Sequence, residues 1–460
     1  MRTERDQLGA IEIADHCAYG AQTARALSNF SISRSRLCDE PELVRAMAMV
    51  KHAAARTNLD LGILDPGRAQ TIMAVAEQII DGHHHEHFVV DMVQGGAGTS
   101  TNMNANEVIA NIGLKLMGRA FGDYDALHPN DDVNRSQSTN DVYPTALRLA
   151  LMRRAGGLIR ELGLLSDAFT RKAGEFGGIT KVGRTQLQDA VPMTVGQEFA
   201  AFATITTASA AGIDAATGAL AHVNLGGTAI GSGILAPAGY AARAVQHLSE
   251  LSGFALVPAA DLFAAGYDQG GLLAMSQALK TTAVRLSKIA SDLRLLSSGP
   301  RAGLAELILP PVQAGSSIMP GKVNPVIPEV VNQVCYAVIG NDLTVTLAAE
   351  AGELQLNAME PVMLARLLDS QSMLENAVRT LRTRCIDGIT VDADRCRTLF
   401  EGSFALATQL VETLGYDRAS ALVYRAKREG IGLIPALTSE PGLPREVVDS
   451  FTGTGLRLSA

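Results

Sequence analysis

The chain has no tryptophan and few other aromatic residues, and what it lacks excludes several classes of protein. Aromatic residues make up 4% of its 460 positions and charged residues 19%. There is no run of lysine and arginine, and a formal net charge of −8 does not attract nucleic acid. We therefore expect no nucleic-acid partner, and an anionic substrate must be bound by a local cluster of donors.

Cysteine is also scarce, and its pattern indicates reduced thiols. The five cysteines are odd in number and have no C-x-x-C spacing. Because disulfides are rare in reducing compartments, we expect a cytoplasmic protein. The charged start MRTERDQLGA has no apolar core typical of a secretory signal. No uninterrupted apolar run approaches the ~20 residues that span a bilayer, so we expect no membrane association.

Helical periodicity dominates what is present. Hydrophobic residues make up 47% of the chain, as in a folded globular protein. Apolar residues recur at helical spacing over 142–173, 194–221 and 272–297. The third stretch carries a heptad seam with one polar exception: Leu272, Met275, Leu279, Thr282, Leu286, Ile289, Leu293 and Leu296. Such a narrow seam needs partner helices, so we predict a mainly α fold whose central long-helix bundle is shared between subunits.

Composition divides the chain into three predicted domains. Residues 1–137 form an N-terminal mixed, mostly helical domain, in which Asp39 caps a helix with Pro41 in its first turn. Residues 138–390 form the central helical bundle. Residues 391–460 form a small C-terminal helical domain, because glycine, proline, serine and threonine become frequent there and the helices shorten.

One loop stands out between two helical patterns. The segment GSSIMPGKVNP, residues 315–325, combines helix-breaking glycine and proline with hydroxyls and one cation. Such a loop suits an anionic ligand, and the alternative is an ordinary polar connection. It is not a nucleotide P-loop, because Gly315 and Gly321 are one residue too far apart and Val323 follows Lys322.

Three more blocks are rich in polar residues. In GAGTSTNMNANEV, residues 96–108, capping of a helix whose apolar face begins at Val108 explains only one or two of the polar groups. The segment SQSTND, residues 136–141, can be a loop with a helix cap. In GRTQLQDAVPM, residues 183–193, Arg184 and Asp189 can form a structural ion pair.

Together these four blocks resemble the signature blocks of the aspartase/fumarase superfamily, and the resemblance covers roughly residues 8–390. Members of this superfamily eliminate ammonia or another group from a succinyl unit and release fumarate. The resemblance implies a three-domain aspartase/fumarase-like fold and a homotetramer whose active sites each combine blocks from three subunits. It implies no organic cofactor; a divalent metal activates some members, but no ligand set for one is predicted here.

The resemblance also implies roles for individual residues. Ser316 is the catalytic base. The expected substrate-binding residues hold the two carboxylates and the amine of the substrate: Thr99, Ser138, Thr139, Asn140, Thr185, Gln186, Lys322 and Asn324. A secondary anion site is expected at His128, Asn130 and Asp131.

The chemistry explains why such residue types are needed. Removing the C3 proton of aspartate places charge on the neighbouring carboxylate and gives a dianionic intermediate. The step needs a base near C3, donors at the carboxylate that gains charge and a clamp on the other one. A serine can be the base only if its pKa is lowered, here by Lys322 and by loop N–H groups.

The residues favour elimination of ammonia from L-aspartate. Gln186, Thr139 and the run VIPEVVNQV at 326–334 are similar to the aspartate-specific branch. HPNDDVN at 128–134 and GAQT at 20–23 are similar to class II fumarases, so malate is the alternative substrate. A remote alternative is an inactive oligomeric structural protein, since superfamily members have been recruited to the lens.

A histidine cluster at 83–87 has two interpretations. His83, Glu86 and His87 fit the pattern H-x-x-E-H of some zinc proteases, but that motif is short and chance matches are common. We favour a solvated or hydrogen-bonded helix face and predict no metal ligands.

Overall fold

The computed structural model describes residues 1–443 and 445–452 and is mainly helical, which confirms the expected fold class. Fifteen α-helices lie within the described residues: α1 (Ala21–Asn29), α2 (Pro41–Asp60), α3 (Pro66–Ile80), α4 (Thr99–Leu116), α5 (Thr139–Glu175), α6 (Val195–Ala219), α7 (Tyr240–Ser252), α8 (Gly270–Leu296), α9 (Val326–Glu350), α10 (Glu360–Arg384), α11 (Ala393–Glu401), α12 (Ala407–Leu414), α13 (Tyr416–Glu429), α14 (Leu433–Thr438) and α15 (Arg445–Thr452).

The strands are short and form two-stranded pairs. Three pairs are antiparallel and one, formed by 222–223 and 257–258, is parallel. The strands are β1 (Arg2–Asp6), β2 (Gly9–Ile13), β3 (Thr180–Thr185), β4 (Gln188–Thr194), β5 (His222–Val223), β6 (Val257–Pro258), β7 (Leu307–Ile308) and β8 (Thr390–Val391).

Three of the long helices coincide with the stretches predicted from periodicity. The ranges 142–173, 194–221 and 272–297 correspond to α5, α6 and α8. All eight seam residues of α8 are at most 5% exposed within the single chain. The chain itself therefore covers this seam, and no second subunit is needed to bury it.

The chain forms two compact units, each assembled from three stretches. Unit 1 comprises 1–159, 211–283 and 336–374, and unit 2 comprises 160–210, 284–335 and 375–460. The three consecutive domains expected from composition remain a prediction. The last of them, 391–460, includes Pro444 and 453–460, which lie outside the described residues.

In unit 1, α2 packs against α3 and α7, and α3 packs against α4. The core contains many alanines, which let these helices approach closely. Asp39 does not cap α2 as expected. Its carboxylate instead accepts from the Arg36 N–H at 2.8 Å, in a 3₁₀ turn, and Glu40 is the residue that precedes the helix.

In unit 2, four phenylalanines from α5 and α6 and the turn between them form an aromatic cluster with ring centroids 5.2–6.0 Å apart: Phe169, Phe176, Phe199 and Phe202. A second apolar cluster joins the short C-terminal helices to Val182 of β3. This cluster and the pairing of β3 with β4 hold the hairpin that carries one of the polar blocks.

Among the described residues, α6 is the one helix that is long and apolar enough to cross a membrane by length and composition. In its most apolar window, 39% of the residues are buried within the chain. Core helices of soluble proteins meet the same criterion of length and apolar composition.

Candidate active site

The first polar block forms the start of α4, and Thr99 is its first helical residue. Gly98 precedes it with φ 85°, and a Cβ there would lie 2.3 Å from the Tyr143 ring, so only glycine fits. From the sequence, helix capping is expected to explain only one or two of the polar residues that follow, and the structure shows another role for four of them. They lie inside the first two turns and are buried: Thr101, Asn102, Asn104 and Asn106.

These buried amides connect α4 to the second polar block. Asn102 Nδ2 donates to Thr139 Oγ1 and to Asn134 Oδ1, both at 3.1 Å. Asn106 Nδ2 donates to the same Asn134 oxygen at 3.2 Å. Since Asn102 lies one turn beyond Thr99, these bonds place the start of α4 beside the start of α5.

A buried lysine completes this network. Lys51 of α2 is fully buried, and its ammonium donates to Asn134 Oδ1 and Gln137 Oε1, each at 2.9 Å. Burial lowers the pKa of Lys51 to about 7. Sequence reasoning missed Lys51, because no local pattern distinguishes it from a surface lysine. Asn102 and Asn134 lie in the polar segments 96–108 and 128–134, but the sequence assigned them no individual role.

The second block leads into α5, and hydrogen bonds to the carboxylate of Asp141 fix its backbone. One oxygen of this buried carboxylate accepts from the Ser138 N–H at 2.9 Å. The other accepts from the N–H groups of Gly226 and Thr228 at 2.9 and 3.0 Å. Burial raises the pKa of Asp141 to about 6, and the hydrogen bonds and Lys51 oppose that rise.

Asn140 is tied to the same loop. Its Nδ2 donates to the Ala229 carbonyl at 2.7 Å, and Asn224 Nδ2 donates to the Asn140 carbonyl at 2.9 Å. Ser138 and Thr139 remain partly exposed beside it. The structure therefore presents Thr99, Ser138, Thr139 and Asn140 from two adjoining helix starts in unit 1.

The three residues of the expected anion site lie at one short turn. His128 Nδ1 accepts from the N–H groups of Asn130 and Asp131 at 3.1 Å each, so this nitrogen carries no proton. His128 and Asn130 line an open cavity of about 650 Å³, which Arg25 also lines. The backbone donors are satisfied internally, and an anion binding them must displace the imidazole; the anion site remains a prediction.

The third block is the β3–β4 hairpin of unit 2. Thr185 ends β3, and the two turn residues Gln186 and Leu187 have φ of 54° and 62°. Such a turn normally takes glycine or asparagine, so this tip is strained. Thr185 and Gln186 are exposed, and Leu187 is 70% exposed.

Arg184 does not pair with Asp189 as the sequence alternative suggested. Its guanidinium donates to the buried Glu306 at 2.6 Å. Lys181 also pairs with Glu306, at 2.9 Å, and with Glu198 at 2.7 Å. These charges fix the base of the hairpin and leave its tip exposed.

The fourth block, residues 315–325, is a loop that precedes α9. Ser316 Oγ accepts from the N–H groups of Ile318 and Met319 at 3.2 and 2.9 Å. The loop closes where Gly315 N–H donates to the Lys322 carbonyl at 2.9 Å and Asn324 Nδ2 donates to the Gly315 carbonyl at 2.7 Å. A Cβ on Gly315 would lie 2.4 Å from that Lys322 oxygen.

The two backbone N–H groups that donate to Ser316 affect how readily its hydroxyl loses a proton. Two N–H donors directed at Oγ favour the alkoxide over the hydroxyl. Lys322 is exposed and forms no ion pair with any described residue, so its ammonium is available for a substrate carboxylate. Glu329 lies in the first turn of α9, where its negative charge interacts favourably with the positive end of the helix dipole.

The predicted site residues therefore fall into two sets. Unit 1 carries Thr99, His128, Asn130, Asp131, Ser138, Thr139 and Asn140. Unit 2 carries Thr185, Gln186, Ser316, Lys322 and Asn324. Unit 1 presents neutral hydroxyl and amide groups from helix starts, and unit 2 presents polar groups from a hairpin tip and from a loop that carries Ser316 and Lys322.

A helical fold that carries hydroxyl, amide and lysine groups in these blocks is the kind found in lyases of this family. The family model described as "Lyase" matches residues 9–340. The chain belongs to the aspartase/fumarase superfamily.

Its relatives include several enzymes of one specificity. The chain is 52% identical over 452 residues to aspartate ammonia-lyase of Pseudomonas canavaninivorans, covering 98% of this chain and 95% of that protein. It is 51% identical over 417 residues to aspartate ammonia-lyase of Escherichia coli, covering 90% and 87%.

Solved structures share the fold. A Brucella melitensis structure titled "fumarate lyase:delta crystallin", bound to cobalt, has a TM-score of 0.95 and 52% identity and covers 97% of each chain. The class II fumarase of Schistosoma mansoni has a TM-score of 0.94 at 33% identity, with 99% of each chain covered.

Proposed function

We infer that this protein is an aspartate ammonia-lyase, a carbon–nitrogen lyase that reversibly converts L-aspartate to fumarate and ammonia. The observation that carries the inference is identity of about 50% to enzymes of that specificity along nearly the whole chain. Identity to a class II fumarase is 33% at the same coverage. Both enzymes act on a small dicarboxylate and differ in the group that leaves. The higher identity to aspartate ammonia-lyases therefore favours ammonia as the leaving group.

The proposed reaction begins with removal of the C3 proton by Ser316. The two N–H groups at its Oγ stabilise the alkoxide that must form first. Lys322 and Asn324, with Thr185, clamp the α-carboxylate, and the glycines of the loop let it close over the substrate. Closure excludes water, which strengthens each of these interactions.

The charge from C3 moves onto the neighbouring carboxylate and gives a dianionic aci-carboxylate. Thr99, Ser138, Thr139 and Asn140 offer neutral donors for this group. Neutral donors suit a carboxylate that gains charge and then loses it when ammonia leaves. The network of Lys51, Asn102 and Asn134 holds these donors in place, so little reorganisation is needed as charge develops.

We also propose a homotetramer with shared active sites in the cytoplasm. The strained, exposed tip at Thr185 and Gln186 supports a partner subunit, because such a tip is costly unless it contributes to function. An exposed apolar row on α9 supports assembly as well: Tyr336, Ile339, Leu343 and Leu347. Five free cysteines are consistent with a reducing compartment.

The decisive measurement follows fumarate formation by ultraviolet absorbance with aspartate and, separately, with malate. We expect turnover of aspartate and none of malate. Turnover of malate without turnover of aspartate would identify the alternative, a class II fumarase. Absence of both activities in the folded protein would favour the structural role.

A further inference from the structure

Two histidines and a glutamate that the proposed reaction does not use lie together after α3. One ligand atom from each of His84, Glu86 and His87 lies within 4.8 Å of the others. We propose that these three side chains bind a divalent transition-metal ion such as Zn²⁺, with water completing its coordination. Two imidazoles and one carboxylate form a ligand set that Zn²⁺ commonly uses.

The backbone selects a different set from the one that the sequence motif suggested. The expectation that 83–87 form one face of a helix is wrong, because α3 ends at Ile80 and a turn follows. His84 then takes a left-handed conformation with φ 65°, and residues 85–87 form a 3₁₀ turn. The His87 N–H donates to the His84 carbonyl at 3.1 Å, which closes the turn and brings the two residues together.

Hydrogen bonding leaves one nitrogen of His84 free for a metal. Its Nε2 lies 2.8 Å from Gln78 Oε1. An amide oxygen only accepts, so Nε2 carries the proton and Nδ1 keeps its lone pair. Metal-binding histidines usually donate their other ring N–H to an oxygen acceptor. His85 is not among the three residues whose ligand atoms lie within 4.8 Å of one another, and its Nε2 lies 2.8 Å from the Ile79 carbonyl.

The other end of the turn is held by α4. Asn104 Nδ2 donates to the His87 carbonyl at 3.0 Å, and the Val89 N–H donates to Asn104 Oδ1 at 3.0 Å. Between them, the side chain of Phe88 is 1% exposed. The backbone that carries His87 is therefore fixed before any ion binds, which lowers the entropic cost of binding.

The three ligand atoms must move closer together to bind one ion. Zinc–ligand bonds of about 2.0–2.1 Å place tetrahedral ligands roughly 3.3 Å apart. His87 Nε2 and Glu86 Oε1 are already 3.7 Å apart, and the Glu86 side chain is 70% exposed and free to rotate. The exposed Lys115 acts electrostatically on both imidazoles, and its positive charge opposes a cation there.

The test uses the untagged full-length protein, freed of metal by a chelator and titrated with Zn²⁺ by calorimetry, with Co²⁺ absorption as a second readout. We expect one ion per chain. His84→Asn retains a residue that tolerates the left-handed conformation, and Glu86→Gln changes an exposed side chain. Each should weaken Zn²⁺ binding at least ~10-fold, and each should reduce the visible Co²⁺ bands.

Two further variants separate this site from adventitious binding by the histidine run. His83→Ala removes a neighbouring imidazole outside the set and should leave the affinity unchanged. Lys115→Gln removes the opposing charge and should tighten binding roughly threefold. The proposal is overturned if no Zn²⁺ binds, if His83→Ala weakens binding as much as His84→Asn, or if Glu86→Gln has no effect.

Discussion

At the scale of single residues, the proposed role of Ser316 rests on the backbone geometry around its hydroxyl. The sequence offers a serine between glycine and a second serine, and nothing local distinguishes the two hydroxyls. The structure directs two N–H groups at Oγ of Ser316, and these donors stabilise the negative charge that a base must carry.

The first prediction concerns Ser316→Ala. We expect turnover of aspartate to fall at least ~100-fold with the fold unchanged, because the base is lost. Ser317→Ala is the matched control, since it removes an exposed neighbouring hydroxyl. Steady-state kinetics and circular dichroism measure the two effects. Near-normal turnover by Ser316→Ala would remove this residue from the mechanism.

Lys51→Met tests the buried network under the helix starts. The change leaves Gln137 Oε1 without the donor that Lys51 provides and takes a positive charge from beside the buried Asp141. We expect the free energy of unfolding to fall by about 1–3 kcal/mol, measured by urea denaturation. Lys288→Met alters an exposed pair on α8 and should change it by less than about 1 kcal/mol. Equal effects would contradict the role given to Lys51.

Glu360→Gln tests a second buried carboxylate through pH. Burial raises the pKa of Glu360 from 4.5 to about 7, and Arg148 opposes that rise. Between those values the folded protein keeps a proton that the unfolded chain has lost, so stability declines as pH rises from about 4.5 to about 7. Glutamine keeps the acceptor for Gln269 and does not titrate.

The variant should therefore lose less thermal stability than the parent between pH 5 and about 7.5. Midpoints of thermal unfolding measured across that range give the comparison. Parallel pH profiles for the two proteins would show that Glu360 does not titrate in this window.

At the scale of elements, periodicity located the helices but did not say which of them face outwards. The seam of α8 is the clearest heptad pattern in the sequence, and the chain buries all of it. The exposed apolar row is on α9, where Tyr336 is 60% exposed and Leu343 61%. A seam that looks ready for a partner can be covered by the helices of its own chain.

The α9 row predicts the effect of Leu343→Lys. If this row packs against other subunits, a buried charge there should lower the assembled mass, because burying an unpaired charge is costly. Light scattering after size exclusion measures that mass. Tyr424→Lys on α13, a position that is 73% exposed, is the control and should leave the assembled mass unchanged. A full-size Leu343→Lys assembly would place the interface elsewhere.

At the scale of the whole molecule, the proposed site residues belong to two compact units of the chain. The proposed tetramer would join donors of one subunit to the loop and hairpin tip of others. In that arrangement each active site would need residues from more than one chain.

Mixing two inactive variants tests this arrangement. Ser316→Ala and Thr139→Ala, co-expressed and assembled together, should recover about a quarter of normal turnover if the two residues come from different subunits. Each variant alone, at the same total concentration, is the control. No recovery in verified mixed tetramers would mean that both residues act from the same chain.

The sequence by itself determined the helical class, the positions of the long helices and the four polar blocks, because periodicity and turn chemistry are local. Only the tertiary structure revealed Lys51 and the individual roles of Asn102 and Asn134, since these roles come from contacts with residues distant in the chain. It also replaced a helical H-x-x-E-H face by a turn that gathers His84, Glu86 and His87. The roles of such residues depend on their neighbours in the folded chain, and a linear pattern does not contain that information.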